Sequence, residues 1–543
     1  MKALYTSNQV RRIDQQAIDC GISGYALMQR AAAAALRALA QRWPDARQLL
    51  IVCGAGNNGG DGYELARQAS GASWRVQVLY LKAPAGMTDD ALTAANAALA
   101  EDVCCQPFSE DAFTHCLQSG PEDSYVVVDA VLGIGFSGPL RTAYADAIVC
   151  INHCGHPVLA IDIPSGVDAD TGYVDRLAIK ADATLCVVAR KQGLFTGDAP
   201  AFTGELLFDD LGLPSSVAAS EPATTPSARG IDAGLLQHPG LTRSRTAHKG
   251  DSGHVLVIGG DQGFGGAAIM AAEAAARAGA GTVSLITRPM HVSAMLSRRP
   301  EVMVHGLDVW HGEPAERALA LMARATVIVL GPGLGQSEWS ANLLENVMSR
   351  AGRSQTPLVL DADALNMLAA QKTHWQELGA LAARAQWIVT PHPAEAARLL
   401  GWSTEQVSQD RFAAVKALQH KTGAVCILKG AGSLLAFPGA LVPVDICLEG
   451  NPGMASGGMG DVLAGICGAM LALGRSLTAR QLSQGFDACV AARLAVCAHG
   501  EAADRAAAVT GERGLLATDL FSHLPVVLSG QSLLASTPAR RVT

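Results

Sequence analysis

Short apolar runs recur along the chain, and most are followed by a polar, glycine-rich stretch and then by a segment of helical periodicity. Apolar runs bounded by such loops predict buried strands, and a 3.6-residue spacing predicts helices. Strand-then-helix alternation is typical of parallel α/β sheets. The predicted strands are residues 49–53, 75–81, 125–128, 158–161 and 184–188 in the first half, and 254–258, 282–287, 326–330, 358–360, 387–389 and 425–428 in the second.

A stretch rich in serine, threonine, alanine and proline interrupts this alternation at residues 214–230. Such a composition is typical of a linker, and 543 residues exceed what one ordinary core accommodates. We therefore predict two α/β domains, residues 1–213 and 231–525, with a tail at 526–543. The first is predicted to be a Rossmann-like, doubly wound sheet. Helices of particular interest are predicted at residues 6–18, 63–70 and 462–473, the first with Val10, Ile13 and Ala17 on one face.

The composition excludes several classes of protein. The net charge is −8 and the pI is near 6.0, so we expect no nucleic acid partner. The longest uncharged apolar run, residues 462–474, is too short to cross a bilayer, so we expect no membrane partner. The N-terminus has no apolar signal core, and the 13 scattered cysteines predict reduced thiols. We expect a cytoplasmic enzyme and a homo-oligomer.

The first predicted strand leads into residues 54–62, GAGNNGGDG. This loop matches G-x-G-x-x-G and so suggests a dinucleotide site. The match is incomplete, because that fingerprint requires an acid after the second strand, where Lys82 stands. The polar side chains of Asn57, Asn58 and Asp61 indicate a loop that hydrogen-bonds its ligand directly. The alternative is a plain strand–helix turn in which asparagine and glycine serve the positive-φ positions.

Two further strands of the first half also end in polar loops. Asp129 follows the third predicted strand, Asp162 and Ser165 follow the fourth, and residues 133–139 form a second glycine-rich loop. Because the carboxyl ends of parallel strands line the ligand crevice of a doubly wound sheet, these side chains and Asn58 are expected to converge. Their oxygen atoms suit a hard, weakly charged cation. Asp162 is the best acid/base candidate.

Two features of this half have open interpretations. Lys191 either reaches the same crevice or belongs to a solvated basic turn. A set of cysteine and histidine side chains could supply zinc ligands, but a helix predicted at residues 144–152 and the proline at 157 disfavour their convergence. That set is Cys150, His153, Cys154 and His156.

The motifs NNGGDG, VDAVLGIGFSGPL and DIPSGVDADTG, in this order, resemble the N-terminal epimerase domain of the bifunctional NAD(P)H-hydrate repair enzymes. The resemblance implies interconversion of the R and S forms of the hydrated nicotinamide cofactor. It implies potassium held by Asn58, Asp129 and Ser165, and Asp162 as the catalytic acid/base, beside which we place Lys191. The residues implied to contact the hydrate are Asn57, Asn58, Gly59, Gly60, Asp61, Gly133, Ile134, Gly135, Phe136, Ser137, Gly138, Pro139 and Asp162.

The second half is organised around residues 451–461, NPGMASGGMGD, which precede an apolar helix. Free N–H groups at Gly458, Met459 and Gly460, with the positive end of the helix dipole, make an anion site. Asp461 stands beside it, and a carboxylate next to an anion cradle is what phosphoryl transfer to an alcohol requires. The alternative is a glycine-rich turn capped by aspartate.

Other strand ends of this half carry further candidates. No P-loop motif occurs in the sequence, so the phosphate site must be built differently. Glu395 could orient magnesium through water, because magnesium keeps part of its hydration shell. His392 is either a ligand contact or a histidine satisfied within its loop. The segment Lys429, Gly430, Ala431, Gly432 and Ser433 is either a nucleotide contact or a plain strand-exit turn.

The motifs GPGLG, DADALN, TPHPAE, KGAGS and NPGMASGGMGD resemble the ribokinase-like superfamily, and in this order its ADP-dependent NAD(P)H-hydrate dehydratases. His392 departs from the sugar kinases, which have asparagine there. The resemblance implies a ribokinase-like α/β sandwich in which Asp461 takes a proton from the hydrate, giving AMP, phosphate and NAD(P)H. The residues implied for the hydrate are Ala268, Gly333, His392 and Asp461, and those for the nucleotide are Lys429, Gly430, Ala431, Gly432, Ser433, Gly458, Met459 and Gly460.

Two other functions fit the same motifs. A small-molecule kinase of the ribokinase-like type, with a fused nucleotide-binding accessory domain, would leave a stable phosphate ester. A regulatory nucleotide-binding module would have no need of the carboxylates Asp162 and Asp461 at its sites. Only the resemblance favours ADP over ATP, since nothing in the segment KGAGS separates the two nucleotides.

Overall fold

A computed structural model describes residues 1–118, 125–136, 138–214, 225–370, 375–439, 443–476 and 486–529. The chain forms two compact units, one of Ala3–Ala228 and another that begins at Arg229. Ser137, residues 215–224 of the predicted linker and residues 530–543 of the predicted tail lie outside the described residues. The domain limits given above remain a prediction.

The first unit is built on a parallel sheet with the strand order of a Rossmann fold. The chain begins with a short strand β1 (Lys2–Leu4) that is not part of this sheet. The strands of the sheet are β2 (Gln48–Cys53), β3 (Arg75–Tyr80), β4 (Cys104–Pro107), β5 (Tyr125–Ala130), β6 (Val158–Ile161), β7 (Ala183–Val187) and β8 (Glu205–Asp209). Their order is β4-β3-β2-β5-β6-β7-β8, and neighbouring strands are parallel. The order reverses between β2 and β5, which is where ligands bind in doubly wound sheets. The predicted fold of this half is confirmed.

Helices cover the sheet of the first unit. They are α1 (Ser7–Asp19), α2 (Gly24–Arg42), α3 (Asn57–Gly71), α4 (Asp89–Ala100), α5 (Glu110–Gln118) and α6 (Thr142–Asn152). Helix α1 has the predicted face, since Val10, Ile13 and Ala17 are buried, and Thr6 caps its first turn in a capping box.

Helix α3 begins earlier than predicted, at Asn57 rather than at residue 63. The sequence NNGGD is therefore the start of the helix and not an extended loop. Its glycines allow close packing, because a Cβ atom at Gly59 would lie 2.2 Å from the Gly54 carbonyl oxygen and one at Gly60 would lie 2.6 Å from Met28. Asn58 and Asp61 consequently project from a helix whose N-terminus faces the switch point.

The second unit is built on a larger sheet that is parallel through most of its width. Its strands are β9 (Ala228–Ile231), β10 (His254–Ile258), β11 (Thr282–Thr287), β12 (Met303–Gly306), β13 (Val327–Leu330), β14 (Leu358–Leu360), β15 (Ile388–Val389), β16 (Val425–Leu428), β17 (Leu434–Ala436) and β18 (Val444–Cys447). They follow the order β9-β18-β17-β16-β15-β14-β13-β10-β11-β12. The pairs of β17 with β16 and β18 are antiparallel, a feature that the sequence pattern did not predict.

The helices of the second unit complete an α/β sandwich, as predicted. They are α7 (Gly265–Arg277), α8 (Val292–Arg298), α9 (Gly312–Arg324), α10 (Glu338–Ser354), α11 (Ala362–Ala370), α12 (Trp375–Ala385), α13 (Pro393–Leu400), α14 (Thr404–Gln409), α15 (Arg411–Thr422), α16 (Met459–Ser476), α17 (Ala488–Thr510) and α18 (Leu524–Val527). Helix α16 is buried along most of its length and packs between α7 and α17. In the part of the chain that the structure describes, no helix combines the length and the apolar character needed to cross a membrane.

The contact between α7 and α16 depends on a glycine. A Cβ atom at Gly465 would lie 2.2 Å from the backbone oxygen of Ala271. We expect Gly465→Ala to lower the free energy of unfolding by about 1–3 kcal/mol, because the helices must separate to admit the methyl group. Gly266→Ala is the matched control: this helical glycine has no atom within 4 Å of its Cβ position. Urea denaturation should show that variant to be unchanged or more stable, and equal stabilities for the two variants would contradict the packing argument.

Candidate active sites

The first unit contains a cavity of about 690 Å³ at the switch point of its sheet. It lies at the carboxyl ends of β2, β5 and β6 and is bounded by α1, α2 and the start of α3. The structure brings most of the predicted epimerase-site residues together here. Those that line the cavity are Asn57, Asn58, Asp61, Gly133, Ile134, Gly135, Phe136, Pro139, Asp162 and Lys191.

Three predicted glycines do not belong to this lining. Gly59 and Gly60 are buried in the contacts of α3 described above. Gly138 has φ +82° and nothing within 4 Å of its Cβ position, so it serves the turn of its loop. Ser137 lies outside the described residues.

Asp162 and Lys191 form a buried ion pair inside the cavity. Lys191 is 1% exposed, and its Nζ atom donates to Asp162 Oδ1 and, at 2.7 Å, to the Val187 carbonyl oxygen. Burial alone would lower the pKa of Lys191, but the Asp162 carboxylate reverses this and raises it. Asp162 has φ +66°, a conformation that is costly for a non-glycine residue and is found preferentially at functional sites. The interpretation of Lys191 as a solvated turn residue is wrong.

Two further carboxyl groups lie near this ion pair. Burial raises the pKa of Asp14 to about 6, with Lys191 opposing the shift and Asp162 adding to it. Burial, with the negative charges of Asp162 and Asp14, also raises the pKa of Asp61 well above its ordinary range. Sequence reasoning missed Asp14. The signal was present, because position 14 falls four residues after Val10 and three before Ala17, on the inward face of α1.

Asp129, Ser165 and Asn58 form a connected polar group beside the cavity. The Ser165 hydroxyl donates to Asp129 Oδ1 at 2.6 Å, and the Ser165 N–H donates to Asp129 Oδ2 at 2.8 Å. Burial raises the pKa of Asp129 to about 6, although these hydrogen bonds oppose the shift. Asn58 Nδ2 donates to the Leu132 carbonyl at 2.9 Å, while its Oδ1 is buried without a hydrogen-bond partner among the described residues.

The alternative zinc set does not assemble. Cys154 Sγ is engaged with the backbone of His156, and the His156 ring packs edge-on against Tyr125. His153 Nδ1 lies 2.8 Å from the Val149 carbonyl oxygen. Within the described ranges, no group of metal-ligating atoms involves these cysteine and histidine residues.

In the second unit, a mostly buried lysine also lies among carboxylates at strand ends. Lys429, directly after β16, lies 2.7 Å from Asp361 Oδ1 and 3.8 Å from Glu395 Oε2. The Thr390 hydroxyl donates to the same Asp361 oxygen at 2.8 Å. A Cβ atom at Gly460 would lie 3.1 Å from Lys429 Nζ, so the start of α16 meets this cluster.

The charged groups of this cluster shift one another's pKa values. Burial raises the pKa of Asp461 to about 7, with the negative charge of Asp361 adding to the shift and Lys429 opposing it. Burial likewise raises the pKa of Glu395 to about 7 against the opposing charge of Lys429. For Lys429 burial favours a lower pKa, but Asp361 and Glu395 outweigh it and raise the pKa. Asp461 is therefore poised to exchange a proton near neutral pH.

Sequence reasoning missed two residues that organise this site. Asp361 was quoted only within the motif DADALN, yet it holds Lys429 and is 1% exposed. Arg411 is buried under the KGAGS segment, with Nη2 3.4 Å from the Leu428 carbonyl and 3.5 Å from that of Gly432. A buried arginine at the start of α15 gives no periodic signal in the sequence, so only the fold identifies it.

The segment after β16 is a tight, supported loop. Gly430 has φ +142° and Gly432 has φ +58°. A Cβ atom at Gly430 would lie 2.6 Å from the Arg411 guanidinium, and Ser433 Oγ donates to the Gly430 carbonyl at 3.2 Å. Helix α16 starts at Met459, three residues before the predicted helix, so Gly458, Met459 and Gly460 span its first N–H groups as expected.

The residues predicted to contact the hydrate in this unit lie on three different segments. The Ala394 N–H donates to His392 Nδ1 at 3.1 Å, while His392 Nε2 lies 3.2 Å from Glu395 Oε1. Burial and the charge of Lys429 lower the pKa of His392. Ala268 is fully buried on α7, and Gly333 has φ +58° with its carbonyl accepting from the Asp261 N–H at 2.8 Å.

The two units together define a class of protein: a two-domain α/β enzyme with a carboxylate–lysine site at the strand ends of each sheet. The model of the NAD(P)H-hydrate dehydratase family matches residues 255–526, and that of the YjeF-related protein N-terminus matches residues 24–193.

Full-length relatives identify the family. The bifunctional NAD(P)H-hydrate repair enzyme Nnr of Coxiella burnetii is 44% identical over 534 residues, which is 97% of this chain and 100% of that protein. Its counterpart in Escherichia coli K12 is 40% identical over 528 residues, with 97% and 94% covered. The chain belongs to the bifunctional NAD(P)H-hydrate repair enzymes, so the predicted family and the predicted bifunctional enzyme are confirmed.

A solved structure is also similar to part of this chain. The ADP/ATP-dependent NAD(P)H-hydrate dehydratase from Bacillus subtilis, co-crystallised with ATP/Mg²⁺, is 26% identical, with a TM-score of 0.43 over 55% of this chain and 97% of that one.

The pKa of Asp461 predicts a pH-dependent stability. Between about pH 4 and pH 7 the folded protein keeps a proton on Asp461 that the unfolded chain has lost, so stability falls as the pH rises through this window. We expect the parent to lose stability between pH 5 and pH 8 and Asp461→Asn to lose less, because asparagine carries no proton that titrates. The urea midpoints of both proteins at pH 5 and pH 8 measure this difference. Glu345→Gln, an exposed carboxylate on α10, is the control, and an equal slope for parent and Asp461→Asn would contradict the assignment.

Proposed function

We propose that this enzyme repairs hydrated nicotinamide cofactors. The first unit interconverts the R and S forms of NAD(P)H hydrate, and the second dehydrates the S form with ADP to give NAD(P)H, AMP and phosphate. The observation that carries this proposal is the place of Asp461: its carboxyl group, with a pKa of about 7, stands in the first turn of the glycine-led helix α16.

The second unit has the groups that phosphoryl transfer to an alcohol requires. Asp461 takes the proton from the hydroxyl group of the hydrate, which then attacks the terminal phosphorus of ADP as AMP leaves. The N–H groups at Gly458, Met459 and Gly460 and the positive end of the α16 dipole stabilise the transferred phosphoryl group. The Lys429 ammonium, adjacent to Gly460, supplies a further positive charge.

Loss of the new phosphate group completes the repair. Phosphate is a better leaving group than hydroxide, and it departs with the C–O bonding electrons while the neighbouring carbon loses a proton. The ring double bond is restored. The net change is hydrate plus ADP to NAD(P)H, AMP and phosphate, which conserves all atoms. We place the hydrate against Ala268, Gly333 and His392, and the nucleotide against Lys429, Gly430, Ala431, Gly432 and Ser433.

The first unit has an acid/base group in a preformed cavity. Interconverting the two epimers breaks and remakes one bond at the hydroxyl-bearing carbon, which requires a group that gives and takes a proton. Asp162 fills this role, and Lys191 fixes its carboxylate in a position that the strained backbone at φ +66° also maintains. Asn57, Asn58 and Asp61 are available for hydrogen bonds to the substrate.

The polar group around Asn58 fits a potassium ion. Asn58 Oδ1, which has no hydrogen-bond partner among the residues that the structure describes, forms an all-oxygen donor set with the Asp129 and Ser165 oxygens. Hard cations prefer donor sets of this kind. In the second unit, Asp361, Glu395 and Asp461 surround a single lysine, so the excess of negative charge suits magnesium held through water by Glu395. We retain the expectation of a homo-oligomer as a prediction.

One incubation tests the function as a whole. Chemically hydrated NADH with ADP, magnesium and potassium should regain the absorbance of the reduced nicotinamide and release AMP and phosphate in equal amounts. A ribokinase-like kinase would instead accumulate a stable phosphate ester without recovery of absorbance. Membership of the repair family favours the first outcome.

Single substitutions should abolish one of the two reactions and leave the other intact. We expect Asp461→Asn to lower the rate of dehydration by about 100-fold or more, because the general base is lost, while epimerisation continues and nucleotide still binds. Asp162→Ala should have the opposite effect on the two reactions. Chromatography of the epimers and absorbance of NADH measure each activity, and each variant is the other's control. If Asp461→Asn dehydrated the hydrate as fast as the parent enzyme does, Asp461 would not be the general base.

Potassium should stabilise the first unit through Asn58. We expect potassium chloride, compared with choline chloride at equal ionic strength, to raise the melting temperature of that unit by about 2–5 °C, since an ion that binds only the folded state stabilises it. Asn58→Leu should abolish the difference, whereas Asn96→Leu, on the exposed face of α4, should keep it. Differential scanning calorimetry resolves the effect, and an unchanged response of Asn58→Leu would exclude this site.

A further inference from the structure

The cavity of the first unit has charged groups of two kinds. Its acidic lining residues are Asp14, Asp61, Asp90 and Asp162, and its basic ones are Arg11, Arg141 and Lys191. Lys191 is committed to the ion pair with Asp162. In the part of the chain that the structure describes, neither arginine has a carboxylate within ion-pair distance, although four carboxyl groups line the same cavity. Two guanidinium groups are thus available to an anionic ligand.

Both arginines lie along the glycine-rich segment that forms one wall of the cavity. Arg11, on the exposed side of α1, directs Nη2 to the Ile134 carbonyl at 3.4 Å and Nη1 to Asn8 Oδ1 at 3.3 Å. A Cβ atom at Gly135 would lie 3.6 Å from Arg11 Nη2. Arg141 lies two residues after this segment, where its backbone carbonyl accepts from the Tyr144 N–H at 3.0 Å and its side chain takes no part in capping α6.

We propose that Arg11 and Arg141 form a phosphate subsite that binds the pyrophosphate of the dinucleotide hydrate while the hydrated ring lies at Asp162. This inference rests on the proposed epimerase function. The guanidinium fork matches phosphate oxygens in a bidentate geometry. A volume of about 690 Å³ accommodates more than the ring. Because the acidic lining repels a polyanion, the two arginines supply the attraction that lets it enter.

The test compares substrates with and without phosphate. Arg11→Gln, Arg141→Gln and the double variant are assayed by chromatography for interconversion of the purified R hydrates of NADPH and of dihydronicotinamide riboside, which has no phosphate group. We expect each substitution to lower kcat/KM for the dinucleotide about tenfold or more relative to the riboside, mainly through KM, since each removes a charge-assisted contact. Arg12→Gln, an exposed neighbour on α1 outside the cavity, is the matched control and should keep the parental ratio.

Further readouts separate a phosphate contact from a structural role. Arg11→Lys and Arg141→Lys should recover part of the lost ratio, because a positive charge is restored. Rising salt should increase the parental KM for the dinucleotide and have less effect on the double variant, because the arginines are exposed. The inference would be overturned if kcat/KM fell equally for both substrates. It would also be overturned if the double variant kept the parent's ratio of kcat/KM for the dinucleotide to that for the riboside. If the parent interconverts neither hydrate, the proposed epimerase function itself fails.

Discussion

The feature on which both sites depend is a buried ammonium group held by carboxylates at the carboxyl ends of parallel strands. Lys191 pairs with Asp162 in the first unit and Lys429 with Asp361 in the second. Taking a lysine out of water is costly, and loss of one partner of a buried pair typically costs about 3–5 kcal/mol. Carboxyl groups with a raised pKa lie near each pair. They are Asp14 and Asp61 in the first unit, and Glu395 and Asp461 in the second. Burial raises each of these pKa values while the nearby lysine opposes the rise, so the two units share one electrostatic arrangement on sheets of different order.

The two arrangements serve different chemistry because their surroundings differ. In the first unit the ion pair lies inside a cavity of about 690 Å³ beside the polar group of Asn58, Asp129 and Ser165, whose oxygen atoms suit a monovalent cation. In the second, the cluster meets the start of α16, where the backbone N–H groups of the first turn can bind an anion. A proton acceptor beside backbone N–H groups is suited to phosphoryl transfer, whereas an acid/base group in a cavity is suited to inversion of a stereocentre.

Much of this architecture was predictable from the sequence, and the predictions that were wrong or missing have identifiable physical reasons. Short apolar runs located the central strands, and β6, β10, β14 and β16 have the predicted limits. The start of α3 was misplaced because its glycines were interpreted as loop residues, whereas they serve close packing against Gly54 and Met28. Asp361 escaped notice because its role depends on a tertiary partner, Lys429. Asp14 was missed although the periodicity of α1 places it on the inward face of that helix. Arg411 carries no local signal at all.

The glycine at position 465 has a consequence for how the second unit can move. Helices α7 and α16 approach closely there, with the Ala271 carbonyl oxygen and the small Ala274 side chain directly against the Cβ position of Gly465. Ala268 and Asp461, both proposed to contact the substrate, are carried by these same two helices. Because this contact leaves no space for even one added methyl group, we expect the two helices to move together when ligand enters or leaves.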